Sequence, residues 1–576
     1  MKIKGLLIGM LACTALVGCT NEDVVNEQEN GKDQLEQSYI SVKLVSPSTR
    51  SRAFEDGNDA EQIVSRARFY LFNADGSAYT INDVTDNTNY VDVTQNDLKP
   101  EYQTGANNVE TICEAVLVID KSKATPPSSI VAVLNYPLNE NGQCVWGNGQ
   151  MSLNQLKDAD VAYNHGTIKA SNTIQTQYNT SGNFVMTNSV YVDEGTNRTV
   201  IEATPISANN IKASANEAKN APVKIYVERI SAKVQVSMGS TFTKGTDGYY
   251  TISTGLVDAN NKDITAKILG WRVTNITEKS YLIKNLTNNY TSFNSHTGAA
   301  TNWSWNDESN FRSYWANTTE LSTPTHPWNF NEVSNGFDDT DNVDNWEYYN
   351  ENTHASTHSQ LLVVAQFIVD GTATPIAEWY GTKYTYKGLQ EVVANFLAKK
   401  IYTRTGSEGN YIYTSIQPTA IKFEQVPDSE NSDRYLSKAV VEWAADTYYD
   451  ENQNVYASKD ALNTVLATVR PAKIWGNMNA ENEYEGGGYY YVDIVQNAGD
   501  IARDTEGNVT SDTNVYGLVR NHWYKITLNN LNGLGTPVYN PDMIIKTEKP
   551  DTDESFIAAE INVLAWNIKS QTVILE

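Results

Sequence analysis

"KIYVERISAKVQVSM", residues 224–238, is the stretch of this sequence that decides the fold. It alternates as a strand does, with Ile225 and Val227 on one face. Near Glu228 the apolar residues change to the other face, where Ile230 and Ala232 lie. A strand that changes its buried face contains a bulge or bends between two sheets. We therefore expect a break in the strand here and a domain boundary near residues 220–230.

Similar apolar runs elsewhere predict a chain built mainly from β-strands. Residues 67–72, ARFYLF, read as a strand that runs into a tight turn. Residues 129–136, SIVAVLNY, are almost continuously apolar, which is typical of a strand buried on both faces. The clearest helical patterns are short and cover residues 389–399 and 459–469. Many strands separated by turn signals imply β-sandwich domains.

The composition is that of an acidic, extracellular β protein. The chain has 576 residues, enough for two or more domains, and a formal net charge of -26. This charge argues against binding nucleic acid or anionic lipid through the folded surface. The 34 Tyr and 12 Trp residues suit a strand-rich protein.

The N-terminus carries an export signal. Residues 1–18, MKIKGLLIGMLACTALVG, have a basic start and an apolar run too short to span a bilayer, which predicts a signal peptide. Residues 16–19, LVGC, resemble a bacterial lipobox, which implies acylation of Cys19. Of the other cysteines, Cys113 and Cys144 remain in the mature chain. They could pair in an oxidising compartment, or each could be a free buried thiol.

A strand and then a polar arginine-bearing segment follow the leader. Residues 41–56 read SVKLVSPSTRSRAFED, where Val42 and Leu44 alternate with polar residues before Pro47. Proline and the hydroxyl residues after it keep Arg50 and Arg52 out of a sheet. This segment is therefore expected to be open to a protease. The alternative is an ordinary first strand followed by a surface loop that is never cut, since exposed arginines are common in loops.

The sequence offers no catalytic or metal-binding motif. G-x-S-x-G, G-x-G-x-x-G, P-loop and C-x-x-C patterns are absent. His354 and His358 lie four residues apart but without the Glu of a zinc motif. The acidic run 337–346 lacks the Gly and distal Glu of a calcium loop. We predict no enzyme activity, no cofactor and no metal, and His522 reads as a packed strand residue.

Residues 286–360 read as a long loop insertion rich in Asn, Thr, Ser and Trp. Its exposed aromatics could stack on sugars or could pack the insertion against a sheet. This leaves a surface glycan-binding lipoprotein as the alternative function. The tryptophans concerned are Trp303, Trp305, Trp315, Trp328 and Trp346.

The last sixteen residues, INVLAWNIKSQTVILE, form an apolar strand pattern at 561–576. A single straight strand would not fit it, because the apolar residues change parity, so we expect a kink around residues 569–571. Fully extended, the segment would reach about 50 Å. Such a strand can add to a sheet edge in its own molecule or in a neighbour. Its two apolar sets are Leu564, Trp566 and Ile568, and then Val573 and Leu575.

Three C-terminal stretches resemble the fimbrillins, the major fimbrial subunits of Bacteroidales, and the short-fimbria type above all. They are GGGYYYVDIVQN (486–497), YGLVRNHWYKITLNNLNGLGTPV (516–538) and the terminal segment 561–576. VERISAKV at 227–234 is a looser match. The resemblance implies two β-sandwich-like domains with a transthyretin-like Greek key, few short helices and the long loop insertion.

The signal, the leader and the resemblance together divide the chain into five parts. It comprises a signal peptide (1–18), a lipidated leader with a removable N-terminal strand (19–52), an N-terminal sandwich (53–225), a C-terminal sandwich (226–560) with the insertion at about 286–360, and a C-terminal donor strand (561–576).

The resemblance also implies assembly by strand exchange. The precursor would be a lipoprotein of the outer membrane, cut by a trypsin-like protease after Arg50 or Arg52. The strand with Ile40, Val42 and Leu44 would leave, and the C-terminal strand of another copy would fill its groove. The product would be an extracellular adhesive fimbria, with copies of the chain, accessory subunits and surface ligands as partners.

Overall fold

The computed structural model describes a mainly β chain, as predicted, with four helices among the described residues. None of these helices is long and apolar enough to cross a membrane. The described residues are 37–47, 64–81, 87–94, 109–120, 125–162, 184–192, 200–277, 279–284, 346–352, 354, 357–427, 435–441, 445, 447–466, 472–476, 486–497, 501–503, 509–512, 515–538, 556–564 and 569–572.

The first part of the chain forms strands β1 to β12 and two short helices. The strands are β1 (Gln37–Pro47), β2 (Arg66–Phe72), β3 (Tyr90–Thr94), β4 (Val109–Asp120), β5 (Ser129–Leu134), β6 (Asp160–Ala162), β7 (Met186–Asn188), β8 (Tyr191–Val192), β9 (Val200–Ile201), β10 (Thr204–Pro205), β11 (Ile211–Lys212) and β12 (Val223–Arg229). The helices are α1 (Leu153–Lys157) and α2 (Ala215–Lys219).

The second part forms strands β13 to β24 and one longer helix. The strands are β13 (Ser231–Met238), β14 (Thr243–Lys244), β15 (Tyr250–Val257), β16 (Asp263–Thr274), β17 (Lys279–Tyr281), β18 (Trp346–Asn350), β19 (Gln360–Val369), β20 (Thr372–Ala373), β21 (Ile376–Trp379), β22 (Thr382–Thr385), β23 (Tyr402–Thr405) and β24 (Ile412–Ser415). The helix is α3 (Tyr386–Ala398).

The last part forms strands β25 to β36 and helix α4. The strands are β25 (Ile421–Pro427), β26 (Tyr435–Val441), β27 (Ala472–Trp475), β28 (Gly487–Asp493), β29 (Val495–Asn497), β30 (Ile501–Arg503), β31 (Val509–Asp512), β32 (Val515–Tyr516), β33 (Trp523–Asn532), β34 (Thr536–Val538), β35 (Phe556–Leu564) and β36 (Lys569–Thr572). The helix is α4 (Lys459–Leu466).

A nine-stranded sheet organises the N-terminal part. Its order is β11-β1-β12-β7-β5-β2-β3, with β4 on β1 and β10 on β5. The run predicted to be buried on both faces is confirmed, since β5 has five buried residues in succession between β2 and β7. A single apolar core gathers residues from both ends of this sheet, from Ile40 in β1 to Phe72 in β2. The order of the sheet therefore places β1, the first of the described strands, inside it.

The predicted break in residues 224–238 is confirmed and lies at Ile230. β12 ends one residue before it and β13 begins one residue after it. β12 belongs to the N-terminal sheet, whereas β13 belongs to a second sheet of order β18-β13-β33-β35-β36. Ile230 itself packs in the first core and Ala232 in the second. The change of buried face in the sequence thus marks a change of sheet.

Two sheets enclose the second core. One is the five-stranded sheet that contains β13 and β33, and the other has the order β14-β15-β16-β19-β28-β34 with β20 beside β19. Alternate residues of β33, such as Tyr524 and Ile526, meet alternate residues of β19, such as Leu361 and Val363, in the same core. This is the sandwich arrangement that period-2 strands predict.

Residues 376–475, the accessory unit, have a core of their own. Its sheet has the order β22-β21-β27-β26-β25, and α3 and α4 pack with it. Both predicted helices are confirmed within this unit. Helix α3 begins three residues before its predicted start because the Thr385 side chain accepts a hydrogen bond from the Gly388 N–H. The sequence did not predict a third core here.

The end of the predicted insertion contains a strand. β18 pairs antiparallel with β13, and Tyr349 is buried in the second core. The other residues of 285–345 lie outside the described part of the chain, including Trp303, Trp305, Trp315 and Trp328 and most of the acidic run 337–346.

Buried charges lie where the first sheet meets the second. Arg520, just before β33, is fully buried, and its guanidinium donates to the Glu351 carboxylate at 2.5 and 3.0 Å. The same guanidinium donates to the carbonyls of Tyr281 (2.7 Å) and Leu282 (3.1 Å). One side chain therefore ties the segment after β17 to the loops before β33 and after β18.

A second buried ion pair lies beside the first. The ammonium of Lys284 is 3.3 Å from a carboxylate oxygen of Glu228, in β12, and both side chains are buried. Burial lowers the pKa of Lys284, and the negative charge of Glu228 acts in the opposite direction. Glu228 had appeared in the sequence only as the point where the apolar face changes.

The cysteine whose pairing the sequence left open is a free thiol in this structure. Cys144 is buried in the first core, and burial raises the pKa of its thiol. Cys113 lies in β4, with its side chain outside the described set.

Arg520→Met should lower the free energy of unfolding by about 3–5 kcal/mol, because it leaves Glu351 charged and buried without its partner. The matched control is Lys262→Met, which removes an exposed pair 3.2 Å long with Asp370 and should cost less than about 1 kcal/mol. Urea unfolding followed by tryptophan fluorescence measures both. Equal losses of unfolding free energy in the two variants would show that the buried pair contributes no more to stability than the exposed one.

Cys113 and Cys144, the two cysteines of the mature chain, should both be found as free thiols. In the protein that begins at residue 20, an aromatic disulfide reagent should leave Cys144 unmodified under native conditions, because the thiol is buried with a raised pKa. Denaturation without a reductant should expose two thiols. If none appears until a reductant is added, Cys113 and Cys144 are bonded to each other.

Candidate assembly site

β1 is an interior strand with neighbours on both edges. It pairs antiparallel with β4 along its whole length, from Gln37 to Pro47. On its other edge it pairs parallel with β12 over residues 42–45 and antiparallel with β11 at Tyr39 and Ile40. Its backbone donors and acceptors are thus used from two directions, as in the middle of a sheet.

The face of β1 predicted to fill a groove is buried. Ile40 and Val42 are both 0% exposed and belong to the first core, with Leu117 of β4 and Ile225 of β12. Burying two such side chains contributes about 3–6 kcal/mol. Leu44 pairs with Cys113 and Ile225 through the backbone, and its side chain lies outside the described set.

The other face of β1 contains a buried polar group without a hydrogen bond among the described residues. Ser41 is 1% exposed, and its hydroxyl has no hydrogen-bond partner among the described residues. A buried hydroxyl in this state costs about 1–3 kcal/mol. β1 is therefore held by its two backbone ladders and by one apolar face.

The described strands on either side of the polar segment, β1 and β2, are far apart in the sheet order. The register against β4 shifts between Leu44 and Val45, and the strand ends at Pro47. The next described strand in the chain, β2, is separated from β1 in the sheet by β12, β7 and β5. Residues 48–63, with Arg50 and Arg52, lie outside the described part of the chain, as does Cys19. A cut in this segment would leave β1 joined to the sheet by non-covalent contacts alone.

The C-terminal segment forms a hairpin in the described residues. β35 pairs with β33, where Leu564 lies opposite Trp523, and β36 folds back on β35. The chain therefore reverses between Leu564 and Lys569, before the kink expected at 569–571, which lies within β36. The remaining predicted donor residues, Trp566, Ile568, Val573 and Leu575, lie outside the described residues.

The histidines considered as ligands or bases have structural partners. His358 stacks on Tyr516 at 4.8 Å, and its Nε2 lies 3.2 Å from Asp493. His522 is buried, with its Nδ1 2.8 Å from the Arg520 carbonyl oxygen, which confirms it as a packed residue. Within the described ranges, His, Cys, Asp and Glu form no group of three that could hold a metal ion.

The sequence did not predict which strands lie on either side of β1. β4 was not predicted as a strand, although residues 115–119 near its end, AVLVI, are all apolar and four of them are buried. β12 was predicted from its alternation, but its pairing with a strand 180 residues earlier has no local signal. Ile225 and Leu117, on these two strands, are the residues that the prediction lacked.

Several solved structures are distantly similar over most of the chain. A fimbrilin (FimA) from Porphyromonas gingivalis is 11% identical with a TM-score of 0.34, and the match covers 92% of this chain and 99% of that chain. A candidate cell adhesion protein from Bacteroides eggerthii is 12% identical with a TM-score of 0.33, covering 92% and 96%. The tip fimbrial protein Mfa3 from Porphyromonas gingivalis is 10% identical with a TM-score of 0.28, covering 91% and 100%. Likenesses of this strength carry no argument about this chain.

The C-terminal region gives a direct match to a family. No curated protein matches the sequence. Residues 482–572 match the family model described as major fimbrial subunit protein type IV, fimbrillin, C-terminal. This range contains β28, β33, β35 and β36. The resemblance to the fimbrillin family is thereby confirmed for residues 482–572 of the chain.

Proposed function

We propose that this protein is a non-enzymatic structural subunit of a surface fimbria and assembles by exchange of strands between copies. The observation that carries the proposal is the position of β1, an interior strand with a fully buried apolar face, followed by a segment with two arginines. The fimbrillin match of residues 482–572 supports the same function. Cleavage after Arg50 or Arg52 would free β1 from the chain that follows it.

Loss of β1 would leave a groove with defined requirements. Its two sides would be β4 and β12, whose unpaired backbone groups and exposed apolar residues need a new partner. A replacement that runs in the direction of β1 would be antiparallel to β4 and parallel to β12. It would need apolar residues two positions apart, as Ile40 and Val42 are.

The C-terminal segment of another copy meets these requirements. Val573 and Leu575 have the spacing of Ile40 and Val42, and so do Trp566 and Ile568. Exchange of one strand for another replaces backbone hydrogen bonds with equivalent ones. Its direction therefore comes from cleavage, which makes the loss of β1 irreversible.

The rest of the proposal concerns the route to the surface. The precursor would be anchored in the outer membrane through acylated Cys19, and a trypsin-like protease would release the subunit into an extracellular fimbria. Other copies and accessory fimbrial subunits would be its partners, and the sandwiches at 53–225 and 226–560 its two domains. The alternative, glycan binding through the Trp-rich insertion, rests on residues outside those described.

The variant Arg50→Ala/Arg52→Ala should form no filaments after treatment with trypsin, because β1 keeps its covalent link. Electron microscopy should show filaments for the wild type and none for the variant. Arg50→Lys/Arg52→Lys is the matched control: trypsin should restore filaments, whereas an arginine-specific protease should not. Normal filaments from the double-alanine variant would show that this cut is not the trigger.

Deletion of residues 572–576 should abolish filaments while the thermal unfolding midpoint of the monomer changes little. Val573→Ser/Leu575→Ser should act like the deletion, because it removes apolar side chains and keeps the chain length. Lys569→Ser/Gln571→Ser, a polar change in neighbouring β36, should polymerise as the wild type does. An unchanged filament yield from the deleted chain would exclude these residues as the donor.

A further inference from the structure

The accessory unit carries most of the large apolar side chains that are exposed in the described chain. Seven large apolar side chains are exposed among the described residues, and six of them lie in residues 376–475. Ile412, 64% exposed, lies in strand β24 of a small two-stranded sheet, and Tyr411 (40%) immediately precedes that strand. Val455 (57%) bridges to Tyr449, which itself bridges to Tyr402 in β23 of the same sheet. Exposed apolar groups concentrated in one place indicate a contact surface.

This small sheet projects as a hairpin, which we call the arm (residues 402–415). Its strands β23 and β24 pair in an unbroken register, and residues 404–412 are exposed without interruption. The guanidinium of Arg404 lies 4.0 Å from the ring centre of Tyr411 and 4.9 Å from that of Tyr449. Tyr449 in turn bridges to Tyr402 and meets the Tyr413 ring at 5.2 Å. The base of the arm is thus fixed by aromatic packing while its outer strand is exposed.

The outer edge of the arm is open. In the described part of the chain β24 pairs with β23 and with no other strand. Its residues, Ile412 to Ser415, are mostly strong strand formers and include no charge, proline or bulge. An edge of this kind is a template for another strand.

The end strands of the larger described sheets are protected. In each sheet of five or more strands, the strands at the two ends of the order contain a charged residue or a proline, which discourages pairing with other chains. These residues are Lys212 (β11), Asp92 (β3), Glu347 (β18), Lys569 (β36), Lys244 (β14), Pro537 (β34), Lys383 (β22) and Lys422 (β25). The described edge strands that lack such a residue are β24, with four residues, and five strands of only two or three residues (β8, β9, β20, β29 and β32). Very short edge strands are poor templates for pairing, so β24 is the longest unprotected edge in the described chain.

Charge favours a second copy of this chain as the occupant. Copies with a net charge of -26 repel each other, and a surface that carries no net charge adds least to this repulsion when two copies meet. Residues 401–421 carry one positive side chain, Arg404, and one negative side chain, Glu408. Two antiparallel β24 edges can also meet about a two-fold axis, which makes the contact self-complementary.

We propose that the outer edge of β24 is a homotypic contact, through which the arms of two copies pair edge to edge. Ile412 and Thr414 lie on one face of the joined sheet, with Thr403 and Thr405 on the neighbouring strand of each arm. In a fimbria this contact would join neighbouring filaments side by side, a role that rests on the proposed function. The contact itself does not need strand exchange.

The test uses the Arg50→Ala/Arg52→Ala chain from residue 20 onward, treated with no protease, so that donor-strand assembly cannot contribute. Analytical ultracentrifugation should find a reversible dimer that strengthens from 0.1 to about 1 M NaCl, because salt screens the repulsion between acidic copies. In the dimer, amide hydrogen exchange should slow at residues 412–415.

Ile412→Lys should abolish this dimer, and Thr414→Lys should do the same, since a lysine on the edge opposes pairing. Val257→Lys is the matched control, because Val257 is also exposed (47%) but lies in β15, and it should leave the dimer intact. A monomer at both salt concentrations, or a dimer that survives both β24 substitutions, would overturn the proposal. Either result leaves strand exchange standing, since that is decided by filaments after cleavage.

Discussion

A single residue, Ile230, separates the two halves of the described fold, and much of the structure depends on this constraint. β12 and β13 are consecutive strands in different sheets with no loop between them. A flexible linker would allow the sheets to move independently, whereas one residue fixes both the direction and the face of the second strand relative to the first. The buried pairs Arg520–Glu351 and Lys284–Glu228 lie at this junction.

The junction also relates the two parts of the proposed assembly site. β12 forms one side of the groove around β1, and β13 pairs parallel with β33, which in turn pairs with β35. The groove and the C-terminal segment are thus connected by one continuous strand path with a single break. In a polymer, each subunit would hold its two attachment points in a fixed relation.

The sequence predicted what depends on local periodicity and missed what depends on distant pairing. The alternation in residues 224–238 and the apolar run 129–136 were sufficient to predict strands. The 3.6-residue pattern was sufficient to predict helix α3. The accessory unit was missed because its sheet joins Ile376 to Trp475, partners that share no local signal. Arg520 reads in the sequence as an ordinary polar residue beside a strand, and only the fold shows that it is buried with Glu351.

The position of β1 between two strands determines how a strand at this position resists a pulling force. A strand at the edge of a sheet can be peeled off, so that its hydrogen bonds break one after another. A strand enclosed by β4 and β12 and pulled along its axis must shear both ladders at once. Any segment that occupied this position in a fibre would therefore share a tensile force over many hydrogen bonds together, which would give such a fibre mechanical strength along the direction in which it is pulled.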